Sequence, residues 1–331
     1  MNEIKWGILG CGKIARLFAE SLKELPDAKL EAISSRTEGI AEKFGTQYKV
    51  KKRYTTYEEL ASDPDIDVIY IATTHNFHYE NALLCLNYEK AVLCEKAFTV
   101  NAPQAEILIN TARKKRVFLM EAMWTRFIPC MKKLKDILDE ERLGDVHYVK
   151  ADYGRNTKVA NSHRLFNLEL AGGALLDLGI YPISLASMIY KRAPMRITSS
   201  ATIGETGVDD SSFYFFEYDR KETAFLSSSL KINIPNTAHI FGTKGYVQIF
   251  DFVHPTKMML KLERNRKKEI KIPYKSFGYN YEAREVMDCL KDGKLESEVM
   301  PLDETLQIMK TMDELRSQWN LKYKGDYINS I

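Results

Sequence analysis

The sequence predicts an α/β protein in which an N-terminal doubly wound parallel sheet precedes a C-terminal α+β domain with a large, mainly antiparallel open sheet. Three observations predict it. Short apolar runs alternate with amphipathic segments over the first third of the chain, a glycine-rich turn follows the first run, and strand-like runs dominate after about Met123. No low-complexity linker separates these regions. The change of period therefore divides the chain into domains at residues 1–122 and 123–331.

The first region alternates strand and helix signals, which predicts right-handed βαβ crossovers and a parallel sheet covered on both faces. Strands are predicted at Ile4–Leu9, Leu30–Ser34, Tyr48–Arg53, Val68–Ala72, Ala91–Cys94 and Val117–Met120. Amphipathic helices are predicted at Phe77–Asn87 and Ala102–Lys114.

The second region contains seven strand-like runs separated by turn residues, which favours antiparallel pairing. They are Val146–Tyr153, Ile197–Ile203, Ser212–Tyr218, Thr223–Ile232, Ala238–Ile240, Tyr246–Ile249 and Met258–Leu262. Helices are predicted at Tyr281–Lys291 and Leu302–Trp319.

Bulk composition excludes several classes of protein. A formal net charge of +3 over 331 residues gives no sign of a nucleic-acid or anionic-membrane partner. No apolar run is expected to be long enough to span a membrane. The five cysteines form no C-x-x-C pair, and the N-terminus leads directly into the first strand. We therefore expect free thiols and a cytoplasmic protein.

The first turn carries a dinucleotide-binding pattern, G-x-G-x-x-A. Gly10 permits the tight turn, Gly12 lets backbone approach a pyrophosphate, and Ala15 lets the helix pack close to the strand. The free N–H groups at the start of the helix, at Lys13 and Ile14, are expected to receive the pyrophosphate. A plain strand-to-helix turn is the structural alternative.

The end of the second strand indicates which dinucleotide binds. An NAD-preferring site usually has an acidic residue there, to accept from the ribose 2′-hydroxyl. This strand instead leads into Ser35, Arg36 and Thr37. An arginine can pair with a 2′-phosphate and stack on adenine, and the two hydroxyls can donate to the phosphate. The sequence predicts NADP, with NAD as the alternative.

Three further residues are candidates for chemistry. Lys96 follows the fifth strand, at the edge where ligands of a parallel sheet bind. Asp177 and Tyr181 are four residues apart in an apolar stretch, so a helix would place them on one face. A nearby ammonium would favour the ionised phenol and suit it to proton transfer. The alternatives are a solvated loop lysine and a buried acid beside a core tyrosine.

Taken together, these motifs resemble those of the glucose-fructose oxidoreductase, inositol dehydrogenase and rhizopine-catabolism (Gfo/Idh/MocA) family of NAD(P)-dependent oxidoreductases. The resemblance is greatest to the branch with dimeric dihydrodiol dehydrogenases and NADP-dependent xylose dehydrogenases, and it covers nearly the whole chain. It rests on Gly10–Gly12, Ser35–Arg36, Ile71–His78, Glu95–Lys96, Met120–Phe127, Leu143–Asp145, Gly172–Pro182 and Phe277–Tyr279.

The resemblance implies roles for these residues. Lys96 matches the lysine of the family's Glu-Lys-Pro motif, which binds the cofactor and positions the reacting hydroxyl. Asp177 and Tyr181 match its Asp-x-x-x-His/Tyr pair, and in the dihydrodiol branch the tyrosine is the proposed acid/base. The expected cofactor-binding set also contains Thr73, Thr74, His75, Asn76, His78, Glu95, Trp124 and Arg126. The resemblance further implies a homodimer formed through the open face of the second domain's sheet.

Two details qualify the match. Ala97 replaces the family's proline after Lys96, and a cis bond before alanine costs about 2.5–4 kcal/mol, so a trans bond is expected. His75 and His78 resemble a metal pair, but no third ligand follows at suitable spacing, so we expect no metal.

The sequence therefore predicts an NADP(H)-dependent oxidoreductase that moves a hydride between nicotinamide and a secondary alcohol of a sugar, polyol or cyclic diol. The catalytic residues would be Lys96, Asp177 and Tyr181, and the aromatic rings of Trp124, Tyr153, Tyr181 and Tyr279 would line the substrate pocket. A redox-neutral sugar-processing enzyme with a tightly held cofactor and a non-catalytic NADP sensor are the alternatives. Residue types leave open the substrate, the physiological direction and the choice between dimer and tetramer.

Overall fold

The computed structural model describes residues 3–263 and 265–327, and their contacts group the chain into two compact units. The first unit comprises residues through Thr99, with Pro103–Phe127 and Lys275–Thr305. The second comprises Val100–Ala102, Ile128–Tyr274 and the residues from Leu306 onward. The sequence-based division placed Lys275–Thr305 with the second domain. In the structure, the contacts of this segment group it with the first unit. The sequence could not show this, because periodicity indicates which face of a segment is buried but not which unit buries it.

The first unit contains a six-stranded parallel sheet, as predicted. Its strands are β1 (Ile4–Leu9), β2 (Ala28–Ser34), β3 (Lys52–Tyr54), β4 (Val68–Ile71), β5 (Ala91–Glu95) and β6 (Leu119–Ala122). The order β3-β2-β1-β4-β5-β6 is that of a doubly wound Rossmann sheet. All strands are parallel, and the order in which successive strands are added reverses between β1 and β4. All residues of β4 and β5 are buried, as expected for strands covered on both faces.

The second unit contains an eight-stranded sheet that is antiparallel except for one pair of strands. Its strands are β7 (Val146–Gly154), β8 (Arg196–Ile203), β9 (Asp209–Glu217), β10 (Thr223–Ser229), β11 (Ala238–Gly242), β12 (Gly245–Ile249), β13 (Lys257–Leu262) and β14 (Lys268–Lys271). The order is β14-β13-β12-β11-β7-β10-β9-β8, and β7 pairs with β10 in parallel. The prediction of a large, mainly antiparallel sheet is confirmed.

Nine α-helices lie in the described part of the chain. They are α1 (Lys13–Leu22), α2 (Ile40–Tyr48), α3 (Tyr57–Ser62), α4 (His78–Asn87), α5 (Ala102–Lys115), α6 (Pro129–Asp139), α7 (Ile180–Tyr190), α8 (Tyr279–Lys291) and α9 (Leu302–Gln318). The predicted strand Tyr48–Arg53 is wrong at its start, because Tyr48 is the last residue of α2. The structure adds α2, α3 and α6, which the sequence analysis did not predict. The helix α3 begins with a capping box between Thr56 and Glu59.

The helix α7 is preceded by a π-helical turn, Leu175–Gly179, that continues directly into it. One stretch including both, Leu168–Tyr190, is long and apolar enough to cross a membrane by length and composition, contrary to our expectation. Of its most apolar window, 78% is buried inside the fold, which is typical of a core helix. The stretch is apolar because nearly all residues of α7 are buried.

Candidate active site

The predicted cofactor residues lie in the loops that follow the strands of the parallel sheet. Gly10 and Gly12 follow β1, Arg36 follows β2, Lys96 follows β5, and the segment Thr73–His78 follows β4. In a parallel sheet these loops meet at one edge, at the carboxyl ends of the strands. The topology thus brings together residues that are far apart along the chain.

The turn after β1 depends on a backbone conformation that favours glycine. Gly10 has φ +93°, and its N–H donates to the Ser34 carbonyl at 2.9 Å. A Cβ added here would lie 3.1 Å from the Ala72 carbonyl oxygen and 3.2 Å from the Thr73 methyl carbon. Gly10 therefore lets the turn pack against the loop after β4.

Gly12 differs from Gly10. Its backbone is extended, and a Cβ added to it would meet nothing within 4 Å in the described chain. It forms the N-cap of α1 and, as a glycine, has no side chain with which to cap the first N–H groups, at Lys13 and Ile14. Open space beside uncapped N–H groups fits a pyrophosphate.

Arg36 is exposed but is held by two aromatic rings. Its guanidinium carbon lies 4.7 Å from the centre of the Tyr57 ring and 4.9 Å from that of Phe77. Ser35 is buried, and its hydroxyl oxygen accepts from the N–H of Thr37 at 3.2 Å. A positioned cation at the end of a strand that lacks a terminal acid fits a 2′-phosphate.

The loop after β4 is tied down from inside the unit. The buried His78 ring has Nδ1 2.8 Å from the Ala97 carbonyl oxygen and Nε2 3.1 Å from that of Thr73. Burial lowers the pKa of His78 to about 4, and the Lys96 charge acts in the same direction. The ring is therefore neutral and donates to one of these carbonyls. The Thr74 hydroxyl donates to Asn76 Oδ1 at 2.8 Å, and His75 is buried.

Lys96 follows a buried carboxylate. Glu95 Oε2 accepts from the Lys96 N–H at 3.2 Å, and Glu95 Oε1 accepts from the Tyr70 hydroxyl. The Lys96–Ala97 bond is cis, so the expected trans bond is wrong. That expectation counted only the local preference at the bond, whereas the sequence does not reveal long-range contacts such as that of the Ala97 carbonyl with His78.

A second buried acid faces Glu95. Glu282 of α8 is fully buried, and neither of its carboxyl oxygens has a hydrogen-bond partner among the described residues. Burial, with the nearby charge of Glu95, raises its pKa well above the ordinary value. Burial at this position therefore favours the neutral form of the Glu282 carboxyl group over the ionised form. Sequence analysis missed it, because nothing along the chain connects α8 with the end of β5.

The remaining predicted residues of the first unit include a stacked aromatic pair and a buried ion pair. The Trp124 and Tyr279 rings stack with centroids 5.1 Å apart and an interplanar angle of 23°. The buried Arg126 donates through Nη2 to Glu304 Oε1 at 2.7 Å. The structure thus brings two of the predicted pocket aromatics together within the first unit.

Within the second unit, the predicted catalytic pair lies on one helical segment. Asp177 is in the π-helical turn and Tyr181 is in the first turn of α7. Arg164 Nη1 donates to Asp177 Oδ1 at 3.0 Å. Sequence analysis missed this contact, because Arg164 begins a 3₁₀ helix, Arg164–Phe166, that is too short to show periodicity. The Tyr153 and Tyr181 rings pack edge to face, with their centroids 5.5 Å apart. Single π-helical turns within helices are rare, and those that occur are often found at functional sites.

Among the residues that the structure describes, no group of three or more His, Cys, Asp or Glu side chains could hold a metal ion. The His75 and His78 ring centroids are 5.7 Å apart.

Comparison with known proteins identifies both regions of the chain. Residues 4–123 match the GFO/IDH/MocA oxidoreductase family, NAD-binding Rossmann fold, and residues 131–248 match the GFO/IDH/MocA C-terminal domain. The trans-1,2-dihydrobenzene-1,2-diol dehydrogenase of Xenopus tropicalis is 38% identical over 331 residues, covering 96% of this chain and 99% of that protein. The Homo sapiens enzyme of the same name is 35% identical over 335 residues, covering 98% and 99%.

Solved structures share the fold at lower identity. The aldose-aldose oxidoreductase from Caulobacter crescentus, complexed with glycerol, has a TM-score of 0.87 at 22% identity, covering 96% of this chain and 97% of that one. The 3-ketoreductase KijD10 from Actinomadura kijaniata, in complex with NADP and TDP-benzene, has a TM-score of 0.85 at 23% identity, covering 96% and 98%. The two family models and the full-length relatives establish that the chain belongs to the GFO/IDH/MocA family of oxidoreductases with an NAD-binding Rossmann fold.

Proposed function

We propose that this protein is an NADP(H)-dependent oxidoreductase that transfers a hydride between nicotinamide and a secondary alcohol carbon of a cyclic diol or sugar. The observation that carries the proposal is its full-length similarity, at 35–38% identity, to dehydrogenases named for trans-1,2-dihydrobenzene-1,2-diol. A cyclic diol presents an apolar ring and vicinal hydroxyls. The stacked Trp124 and Tyr279 rings suit such a ring.

We assign the proton chemistry to Tyr181. Its phenol would take the proton from the substrate hydroxyl during oxidation and return it during reduction. Lys96 would supply positive charge near the phenolate and the substrate oxygen, and Asp177 would orient the site. The ion pair of Asp177 with Arg164 supports an orienting role, because it restrains the carboxylate on the helical segment that leads to Tyr181.

Two features of the first unit, the start of α1 and Arg36, support NADP as the cofactor. The uncapped start of α1 would hold the pyrophosphate, and Arg36, held by Tyr57 and Phe77, would pair with the 2′-phosphate. When bound, the nicotinamide supplies or accepts the hydride. Residues of this chain bind and orient it and move the proton.

A nicotinamide absorbance assay tests the activity. Purified protein would be offered NADP or NAD with trans-1,2-dihydrobenzene-1,2-diol, aldoses and polyols, and the reduced-nicotinamide band would be followed. We expect NADP reduction with at least one alcohol. Tightly held cofactor with no net absorbance change and glycosidic cleavage would instead indicate a redox-neutral enzyme. Cofactor binding without any turnover would indicate a sensor.

We further propose a homodimer formed through the outward face of the eight-stranded sheet. Aromatic side chains cover this face, and Phe213 and Phe225 are 54% and 49% exposed. Phe215 packs against Phe225, and Tyr148 packs against both Phe225 and Phe241. A contiguous exposed aromatic surface is typical of a protein interface.

The proposed compartment is the cytoplasm. All five cysteines are buried free thiols, which suits a reducing environment. Fractionation of the source cells with a specific antibody would test this, and recovery in a secreted or membrane fraction would contradict it.

A further inference from the structure

A fully buried acid contacts the helical segment that carries Asp177 and Tyr181. It is Asp209, the first residue of β9. Its Oδ2 accepts from the N–H of Leu175 at 2.8 Å and from the Ser212 hydroxyl at 3.0 Å. Its Oδ1 has no hydrogen-bond partner within residues 3–263 and 265–327. A carboxyl group left half-satisfied in a core is costly, which calls for a functional explanation.

Hydroxyl groups extend this cluster to the other end of the π-helical turn. The Ser212 hydroxyl lies 2.7 Å from the Tyr214 hydroxyl, which lies 2.6 Å from that of Ser228. A Cβ added to Gly179, the last residue of the turn, would lie 2.5 Å from the Tyr214 hydroxyl and 3.0 Å from the Ser228 hydroxyl. The turn therefore packs directly on the hydroxyls.

The start of the segment is held in the same way. A Cβ added to Gly173 would lie 2.2 Å from Asp209 Oδ1, so the carboxyl group fits against this glycine. The Tyr323 hydroxyl donates to the Gly172 carbonyl at 2.6 Å. Gly172–Gly179 is thus fixed at both ends by one buried polar cluster, which we define as Asp209, Ser212, Tyr214, Ser228 and Tyr323.

The bond to Leu175 has a particular electrostatic character. Leu175 lies in the first turn of the continuous helical segment, where N–H groups lack helical acceptors and negative charge is favoured. An ionised carboxylate accepts this bond roughly twice as strongly as a neutral group does. Asp177 lies two residues further along the same turn. The charge on Asp209 therefore determines how firmly the turn beneath Asp177 is held.

We propose that Asp209 is a positioning residue whose ionised carboxylate, through the Leu175 N–H, holds the turn carrying Asp177 and the following Tyr181 in the orientation that catalysis requires. The link to catalysis rests on the proposed function. The hydrogen bond and its dependence on charge do not.

Among the titratable groups of this cluster, Asp209 is the one whose pKa lies near neutrality. Burial raises the pKa of Asp209 to about 7, and the adjacent charge of Asp210 acts in the same direction. Tyr214 and Tyr323 do not titrate near neutrality, because burial raises the pKa of each phenol above its ordinary value of 10.0. Arg316 lies over the Tyr323 ring, on the α9 side of the cluster. Asp209 is thus ionised above about pH 7 and neutral below it, and the turn is held most firmly at the higher pH.

Hydrogen exchange tests the bond without any assumption about activity. Amide protection in a peptide containing Leu175, corrected for the intrinsic exchange rate, would be measured from about pH 5.5 to about pH 8.5. We expect protection to rise with pH through a midpoint near 7 in the wild type, and D209N to stay at the low-pH level throughout. Equal protection in the two proteins at every pH would overturn the inference.

Two neighbouring substitutions should move this midpoint in opposite directions. Ser212→Ala removes a hydrogen bond that stabilises the carboxylate, so the midpoint rises. Asp210→Asn removes a like charge, so it falls. A merely structural role for Asp209 predicts no such pair of shifts. Midpoints that do not move, or that move in the same direction, would count against the proposal.

Turnover then tests the link to catalysis. With NADP and an accepted alcohol above about pH 8, D209N should lower kcat roughly tenfold with KM unchanged, and it should remove the limb of the pH profile near 7. A wild-type enzyme without turnover on any alcohol would overturn the proposed function, while exchange still decides the role of the carboxylate. An unchanged kcat and pH profile in D209N would overturn the positioning role itself.

Discussion

Tyr181 is the residue on which the proposed chemistry depends most directly. Replacing it with phenylalanine removes the proton-transferring hydroxyl and keeps the ring that packs against Tyr153. We expect Tyr181→Phe to lower kcat by about 10²–10⁴-fold, while the Kd for NADPH measured by fluorescence stays the same. Tyr190→Phe is a matched control on the same helix, because the Tyr190 hydroxyl donates to the Thr223 carbonyl inside the fold. It should keep full turnover.

Combining Tyr181→Phe with Lys96→Met tests whether Lys96 and Tyr181 serve one reaction. If they do, the losses in kcat for Lys96→Met and Tyr181→Phe should not be additive, and the double variant should resemble the worse single variant. Full additivity, or unchanged turnover in Tyr181→Phe, would remove the phenol from its assigned role.

Arg36 is expected to determine the preference for NADP. Arg36→Ala removes the cation that would pair with the 2′-phosphate, and NAD lacks that phosphate. We expect the Kd for NADP to rise by roughly tenfold or more, while the Kd for NAD stays within about twofold. Isothermal titration calorimetry would measure both constants. An equal loss of affinity for the two cofactors would show that Arg36 does not recognise the phosphate.

Glu282 should make the protein less stable as the pH rises. Its pKa is raised in the folded protein, so folding takes up a proton above its ordinary pKa of 4.5. The free energy of unfolding therefore falls with rising pH until the folded pKa is reached. Glu282→Gln mimics the neutral acid. It should raise Tm at pH 7 by a few degrees, since 1 kcal/mol corresponds to roughly 2–4 °C, and the gain should vanish below about pH 4.

Thermal melts across this pH range would measure the effect, with Glu106→Gln as the control because Glu106 is exposed on α5. The control should leave Tm unchanged at every pH. A gain for Glu282→Gln that is independent of pH would contradict a raised pKa of Glu282 in the folded protein.

At the scale of elements, the β1–α1 turn separates folding from binding. Gly12→Ala places a methyl group in open space on an extended backbone, so Tm should change little. A bound pyrophosphate would meet that methyl group, so we expect the Kd for NADP to rise roughly tenfold or more. Gly10→Ala should instead lower Tm, because φ is +93° and the methyl group meets the Ala72 carbonyl. An unchanged cofactor affinity in Gly12→Ala would move the pyrophosphate away from this turn.

At the scale of the whole molecule, the aromatic face of the second sheet should determine oligomeric state. Phe225→Glu places a charge in the middle of the exposed aromatic surface, and burying that charge in an interface is costly. We expect light scattering after size exclusion to report a dimer for the wild type and a monomer for the variant. Ile107→Glu, on a comparably exposed apolar residue of α5, should leave the mass unchanged. A monomeric wild type would refute the proposed dimer.

Much of the fold was predictable because its signals are local. The turn Gly10–Gly12, the alternation of strands and helices, and the period-2 runs after Met123 each follow from a few neighbouring residues. Short elements such as α3 escaped prediction, because six residues hold too little periodicity. The grouping of Lys275–Thr305 with the first unit also escaped, since the stretch lies about 150 residues downstream of Phe127.

The fold class, the cofactor fingerprint after β1 and the candidate residues Lys96, Asp177 and Tyr181 could all be predicted from the sequence. They could be predicted because hydrophobic periodicity, turn residues and motif spacing depend on residues that are near one another along the chain. The surroundings of those residues became visible only in three dimensions: the cis bond at Lys96, the Arg164–Asp177 ion pair, the buried Glu282 and the carboxylate of Asp209 at the Leu175 N–H. The physical reason is that burial and charge act between groups that are close in space but not along the chain.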